Sequence, residues 1–287
     1  ISNAADSLHV IEQLVFGDKA FTLEELTTCL ATDWGQRLIE QGGRIAPAFG
    51  HYVAPARIDE IRGQCMAQPK FGNGTELVDR KAWWLMETFT ECIAEALAHP
   101  MHVESFARLD RTYGSVEHPF EIVIAPGVGT FEQYVFSGSF SGASADGRRS
   151  SGAIASDLSA APIPGDQPAT CMVGDKLEHA RQFGLIDSLR SYRHEVMKRF
   201  GDGAPVDYVL PEDYPPEKLA SAIAEFAAGK GGSICTFTVA DPATFAAAQA
   251  DPERYNLVRV RMGGWTEFFV ALFPDHQEQH KRRPIYG

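Results

Sequence analysis

Several positions in this sequence carry residue types that could do chemistry. The pair Gly263-Gly264 ends a β-like run at 257–261, with Arg261 just before it and Trp265 and Thr266 just after. Read locally, two glycines at a strand end make a turn, or a place where another surface comes close to the main chain, since no Cβ stands in the way. His276 and His280 have the i, i+4 spacing of a helical metal pair. Glu278 is not at the HExxH position, however, and the tail around it is charged, so no metal site is expected there. His99 and His102 straddle Pro100, which ends a helix, so the two rings need not share a face and read as surface histidines. The run GKGGS at 229–233 has the flavour of a phosphate loop, but it lacks the GxxxxGK[ST] spacing and precedes a strand, so it reads as a helix stop. Asp146-Gly147-Arg148 is a charged turn. The five cysteines, Cys29, Cys65, Cys92, Cys171 and Cys235, are odd in number and scattered without a CxxC pair, which points to reduced structural thiols.

These residues need elements to hold them. The first hundred positions carry helical signals: an amphipathic start with Leu8, Ile11, Leu14 and Val15 at helical spacing, a capping box Thr22-x-x-Glu25 before Leu26 and Leu30, and a long periodic stretch at 78–97. Between 120 and 140 the texture turns β-like, at 120–125 and 134–140, around a Pro126-Gly127-Val128-Gly129 turn. Residues 141–170 are rich in Ser, Gly, Ala and Pro but hold Ile154, Leu158 and Ile163, so an ordered long loop is expected, and such loops are usually functional. Helices should follow near 175–200 and at 215–228, the second opened by Pro215-Pro216-Glu217. A strand at 233–239, a helix from Asp241-Pro242 to Ala250 and a second strand at 257–261 read as a parallel crossover unit, hence α/β architecture.

The stretch 237–272, FTVADPATFAAAQADPERYNLVRVRMGGWTEFFVAL, resembles the C-terminal signature of the pyruvate formate-lyase-like glycyl radical enzymes. In that family a strand, a helix and a second strand rich in Val and Arg lead to an Arg-Val-x-Gly-aromatic-Ser/Thr loop. The matching positions are Arg261, Met262, Gly263, Gly264, Trp265 and Thr266, followed by Phe268, Phe269 and Val270. NAADSLHVIEQLVF (3–16), PKFGNGTELVD (69–79) and ADGRRSSG (145–152) are similar to further family phrases in the same order, so the resemblance covers essentially the whole chain. Gly74 stands where the family has Asp, Trp265 and Glu267 replace commoner residues, and the tail HQEQHKRRPIYG is unusual, which marks a divergent branch.

The resemblance implies a fold that is the C-terminal half of a ten-stranded α/β barrel, with 1–230 as the half-barrel region and 231–287 as the glycyl radical domain. It implies that an iron–sulfur, S-adenosylmethionine-dependent activating enzyme removes hydrogen from Gly264. The radical then passes to a cysteine, whose thiyl attacks a small organic substrate in a lyase reaction such as decarboxylation or dehydration. A backbone radical needs a Cα that can flatten, which only glycine allows without a side-chain clash. Trp265, Phe268 and Phe269 are expected to shield it, and Arg148 is a candidate for the barrel rim or substrate side. Air would cut an activated chain at Gly264 and release a peptide beginning near Trp265. None of the five cysteines has the family's catalytic context, so that thiol is expected from an N-terminal half or a second subunit, in a homo-oligomer of the complete enzyme. The opening at Ile1 within a helical pattern agrees with a piece of something longer. Two other readings stay open: a replacement module that carries the radical to a damaged enzyme, disfavoured by a match that starts near residue 3, and a binding protein that has kept the fold but lost the radical.

Bulk properties fit and exclude. With 287 residues, 44% of them hydrophobic and 22% charged, the chain can bury one large core or two modest ones. A net charge of -12 without a basic run argues against nucleic acid. No apolar stretch approaches the roughly 18 residues of a membrane span, and the start lacks a signal-peptide pattern, so a cytoplasmic protein is expected.

Overall fold

The computed structural model describes residues 1–40, 52–118, 124–129, 133–229 and 232–287. The chain opens with α1 (Ser2–Val10), which runs on as a π-helical stretch at Ile11–Gly17. Next comes α2 (Leu23–Ala31), started by the capping box read in the sequence. Glu25 N–H donates to Thr22 Oγ1 at 3.1 Å, and Thr22 N–H donates to the Glu25 carboxylate at 2.8 Å. An N-cap of this kind is worth about 0.5–2 kcal/mol. With α3 (Gln36–Glu40) and α4 (Pro55–Ala67) these elements close a cluster around Trp34, Leu26, Ile58 and Ile61. The long amphipathic stretch is α5 (Glu76–Leu97), and α6 (Pro100–Tyr113) follows it at once. Pro100 therefore ends one helix and opens the next, where its missing N–H costs nothing, and His99 caps the new helix by accepting from Met101 N–H at 3.3 Å.

The second half of the chain alternates strands and helices. After α7 (Gln133–Ser139) and the long loop come β1 (Thr170–Val173), β2 (Lys176–His179), β3 (Gln182–Phe183) and α8 (Leu185–Ser191). Then follow β4 (Pro205–Leu210), α9 (Pro216–Ala228), β5 (Ile234–Val239) and α10 (Pro242–Ala250). The last elements are β6 (Arg259–Met262), β7 (Trp265–Phe268), α11 (Pro274–Lys281) and β8 (Ile285–Tyr286). Among the described residues the strands form a parallel sheet in the order β3-β8-β4-β5 and two antiparallel pairs, β1-β2 and β6-β7. The tail thus supplies an inner strand of the sheet, between β3 and β4.

Every residue of β4 is buried, as expected for a strand covered on both faces. Alternation sends Val206, Tyr208 and Leu210 into a cluster with Phe71, Tyr192 and Tyr286. Val209 points the other way, into a cluster with Tyr134, Phe245, Met262 and Phe269. That second face carries the glycine pair.

Several sequence expectations need correcting. The crossover unit is β4-α9-β5, with Val206 opposite Cys235 and Tyr208 opposite Phe237 in parallel register. The run at 257–261 does not pair with 233–239. It becomes β6, which turns back at the glycines and pairs with β7, so its ladder partners lie downstream. The run at 134–140 is helical: Tyr134 and Gly138 are buried one turn apart, and Phe136 stacks edge to face on Phe140 four positions on. Side-chain contacts at helical spacing have overridden β propensity there. The expected strand at 120–125 lies largely outside the described residues. Pro126-Gly127-Val128-Gly129 is no turn, because Gly127 forms a parallel bridge with Gly203 and Val128 N–H donates to Gly203 O at 2.8 Å. The expected helix near 175–200 is shorter, since 176–179 and 182–183 are strands and only α8 and a 3-10 turn at Glu195–Arg199 are helical. The helix stop at 229 holds, with α9 ending at Ala228; residues 230–231 of that run lie outside the described residues.

Candidate functional site

The pairing Arg259↔Phe268, Val260↔Glu267, Arg261↔Thr266 and Met262↔Trp265 leaves Gly263-Gly264 as a two-residue hairpin loop. Gly263 has φ 63°. With Gly264 N–H donating to Met262 O at 2.8 Å, the positive φ makes a tight γ-turn centred on Gly263. A Cβ on Gly263 would also lie 2.7 Å from Asp157 Oδ2. Glycine at 263 is therefore required twice over by the fold. Gly264 is different: its φ is outside the left-handed region, and a Cβ built there meets nothing within 4 Å among the described residues. Among the described residues nothing sterically requires a glycine at 264.

The hairpin is fastened to the sheet by hydrogen bonds from its inner side. On β4 and β5 the residues facing it are Asp207, Thr236 and Thr238, since Asp207 lies opposite Thr236 in the ladder. Asp207, 3% exposed, accepts from Gly263 N–H at 3.3 and 3.2 Å, from Thr236 Oγ1 at 2.5 Å and from Ser156 Oγ at 3.3 Å. Its charge is met by Arg283 Nη1 at 3.0 Å, and the same nitrogen donates to Arg261 O at 3.2 Å. Arg261 N–H donates to Thr238 Oγ1 at 2.9 Å. Hydrogen bonds to an ionised carboxylate are worth about 1.5–3 kcal/mol each, and more is at stake when the group is buried.

On the outer side, Arg261 folds its guanidinium over the turn. Nη2 donates to Gly264 O at 3.0 Å and Nη1 to Thr266 Oγ1 at 2.6 Å. The structure thus brings together four of the residues singled out in the sequence, Arg261, Gly263, Gly264 and Thr266. The expected shielding is only partly supplied by this chain. Phe269 is fully buried against Phe245, but Trp265 is 48% exposed, Phe268 is 37% exposed and Gly264 itself is at the surface. Arg259 lies over the Phe268 ring at 5.2 Å, holding it against the hairpin's flank.

The long loop at 141–170 links this hairpin to the start of the chain. Its far end supplies Ser156 and Asp157; Ser156 Oγ donates to Asp157 Oδ2 at 2.9 Å, and Ser159 Oγ accepts from Asp207 N–H at 2.9 Å. Asp157 sits at φ 50°, a left-handed conformation that Asp tolerates better than most residues. It also lines a cavity of about 560 Å3 with Asn3, Leu85, Phe89, Gly129 and Ala155. The near end of the loop is pinned by the other phrases noted in the sequence. Asn3 donates to the Asp146 carboxylate at 2.7 Å and accepts from Ala155 N–H at 2.9 Å. Lys70 Nζ donates to Asp146 O and Cys65 O, and Asp6 accepts from Phe71 N–H at 2.7 Å. Burial pushes the Asp6 carboxyl up to about 7 and the Lys70 ammonium down, each pulled back in part by the other. Three separated phrases therefore meet in one buried polar node.

Arg148 does not reach the hairpin. It is 7% exposed, and its guanidinium donates to the carbonyls of Gly142, Arg149 and Gly152, tying the loop to itself. Gly74, where the resemblance expects Asp, has φ 77°, and a Cβ there would lie 2.6 Å from Asp187 O, so no side chain fits at this position. His280 is buried and held neutral by burial beside Arg283, and its Nε2 lies 3.3 Å from Tyr134 Oη. Among the described residues no group of three or more His, Cys, Asp or Glu could hold a metal ion. Cys29 and Cys65 are buried in the first cluster, and burial pushes both thiols up to about 12. Cys235, also raised to about 12, is on the face of β5 away from the hairpin, while Cys92 and Cys171 are exposed on α5 and β1. Sequence reasoning missed Asp207, Thr236, Asp157 and Arg283. A lone Asp inside the apolar run PVDYVL and the alternating Thr of ICTFTV were the available signals.

Among the described residues no helix is long and apolar enough to cross a membrane. Residues 1–101 match the family model described as pyruvate formate lyase-like. The chain is 22% identical over 283 residues to the 4-hydroxyphenylacetate decarboxylase glycyl radical subunit of Clostridium scatologenes, covering 98% of this chain and 28% of that protein. Its fold is shared with a B12-independent glycerol dehydratase from Clostridium butyricum, solved with glycerol bound (TM-score 0.64, 21% identity, 99% of this chain and 30% of that one). The same holds for a hydroxyproline dehydratase from Clostridioides difficile with trans-4-hydroxy-L-proline bound (TM-score 0.67, 18% identity, 99% and 29%). The chain thus spans a little under a third of the length of the proteins it matches.

Proposed function

We propose, from the chain's membership of the glycyl radical enzyme family, that it is the radical-bearing C-terminal portion of such an enzyme and that Gly264 stores the unpaired electron. One observation carries the assignment. Of two adjacent glycines at the matching loop, the fold requires the first and makes no steric demand on the second among the described residues, which leaves the Cα of Gly264 open to a partner surface. Loss of one hydrogen atom from that Cα leaves a planar centre whose unpaired electron spreads over the Gly264 amide nitrogen and carbonyl. Arg261 Nη2 donates to that carbonyl oxygen and so steadies the oxygen that shares the spin.

The remaining parts of the machine lie outside this chain. The hydrogen is taken by an iron–sulfur, S-adenosylmethionine-dependent activating enzyme. The cysteine that exchanges hydrogen with Gly264 comes from an N-terminal half or a partner polypeptide, which also completes the ten-stranded barrel and covers the exposed hairpin tip. This fits a chain that spans 28% of its decarboxylase relative and whose own cysteines are buried in the first cluster, half-buried on the far face of β5 or exposed on other elements. The complete enzyme, a homo-oligomer, acts as a lyase on a small organic molecule. Substrates of the decarboxylase and dehydratase type are favoured by the names of the relatives. The cavity beside Asp157 and Asn3 is the space this chain contributes to the substrate side.

The test is anaerobic activation of the complete enzyme followed by electron paramagnetic resonance. A radical at Gly264 keeps one α-hydrogen, so the signal should be a doublet that collapses when glycine is supplied deuterated. Gly264→Ala should abolish it. A doublet of undiminished intensity in Gly264→Ala would place the radical elsewhere.

A further inference from the structure

We infer that Asp207 is the positioning residue of the glycine hairpin, a buried carboxylate latch that sets where Gly264 sits by holding the amide of the residue before it. The inference rests on the reading of Gly264 given above and extends it to a strand with no part in the radical motif.

Two features make the Asp207 side chain a latch and not a generic core contact. First, it gathers elements that have no other reason to meet at one atom group: the turn amide of Gly263, the β5 hydroxyl of Thr236, the loop hydroxyl of Ser156 and the tail guanidinium of Arg283. Second, the amide that the carboxylate holds belongs to the residue at which φ turns positive, so the latch grips the hairpin at the corner of its turn. Beyond Val260 and Met262 the hairpin buries little apolar surface to fix it in place, since Trp265 and Phe268 are both exposed. The carboxylate supplies a directional anchor within one residue of Gly264. Arg283 Nη1 pairs with that carboxylate at 3.0 Å and braces the hairpin a second time through Arg261 O. Thr236, opposite Asp207 in the ladder, orients the carboxylate from below.

The experiment is amide hydrogen exchange read by mass spectrometry on the full chain, comparing peptides over 259–268 with peptides over 205–210 and 234–239. In Asp207→Ala the hairpin peptides should exchange roughly ten- to a hundredfold faster, the loss of one bond to a charged acceptor, while the two strands stay protected. Asp207→Asn keeps an oxygen acceptor for Gly263 N–H and should recover most of that protection. Unchanged hairpin exchange in folded Asp207→Ala would overturn the inference. So would equal acceleration of all three regions with no rescue by Asn, which is the pattern of a residue that merely supports the core. Should Asp207→Ala fail to fold, Thr236→Val removes the orienting hydroxyl without leaving a charge unpaired. It should speed hairpin exchange alone by a few-fold, on the order of one neutral hydrogen bond, and no change there would equally sink the latch. Exchange needs no radical, so a failed latch appears in these data alone and a misplaced radical in the resonance spectrum alone.

Discussion

Replacing Gly263 and Gly264 by alanine, one at a time, separates the conformational use of glycine from its chemical use. Alanine at 263 must take φ near 63°, which costs an L-residue about 1–2 kcal/mol. Its Cβ must also push Asp157 Oδ2 back from 2.7 Å, and that oxygen is buried and held by Ser156 Oγ at 2.9 Å. Displacing it weakens a hydrogen bond to a charged group, about 1.5–3 kcal/mol. The two terms together make roughly 3–5 kcal/mol, a fall in Tm on the order of 10 °C for a chain of this size. Alanine at 264 meets no atom and needs no left-handed φ, so its cost is near zero, and the stiffer unfolded chain even favours it by about 0.4–1 kcal/mol. Urea unfolding of the two variants beside the parent measures both numbers. Equal destabilisation at the two positions would refute the argument, because Gly264 would then have an ordinary conformational role and its retention would need no radical.

Two further outcomes follow from other parts of the structure. Asp6 is fully buried with its carboxyl raised to about 7 by desolvation, so the folded state holds a proton that the unfolded state releases near pH 4. Relative to Asp6→Asn, stability should therefore be level below pH 4, fall by on the order of 4 kcal/mol as pH rises from 4 to 7, and run parallel to that variant above 7. Urea midpoints against pH read this directly, and parallel curves throughout would discount the buried proton. Oxygen cleavage of an activated chain at Gly264 should leave the 265–287 fragment in place, because that fragment carries Arg283 and β8, both locked in the interior. Native mass spectrometry should find the nicked chain intact and denaturing conditions should split it. Spontaneous loss of the fragment would contradict the tail's role in the sheet and restore the simple release implied by the family resemblance.

Local signals in the sequence were a good guide wherever one element decided the outcome. Thr22 and Glu25 form their reciprocal cap, the glycine pair is a turn, and 141–170 is ordered without regular structure. What escaped was pairing at a distance. The run at 257–261 has the composition of a parallel strand, and only the short reach of a two-residue loop commits it to the hairpin with β7. Tyr134, Val135 and Phe136 look like a strand until His276 and His280 from α11 pack their rings on Tyr134. The same limit hid most of the site. Gly264, Arg261 and Thr266 are close in sequence and could be read together, whereas Asp207 and Arg283 lie far upstream and downstream and mean nothing until the ladder puts Asp207 beside Thr236. Arg148 was conspicuous in a conspicuous loop, and its two terminal nitrogens donate to that loop's own carbonyls.

The inner position of β8 has a bearing on how the chain is made. Synthesis delivers β3, then β4 and β5, and Ile285 and Tyr286 come only after α11, yet these two residues belong between strands already present. Until they arrive, β3 and one side of β4 are open edges on a nascent polypeptide, the kind of surface that pairs with neighbouring chains. The sheet is therefore completed by its youngest segment, across a long stretch of intervening chain, a topology that folds slowly. A ribosome that stalls or a gene truncated in the last few codons of this region would yield a protein that has every residue of the glycine hairpin and no closed sheet to hold it.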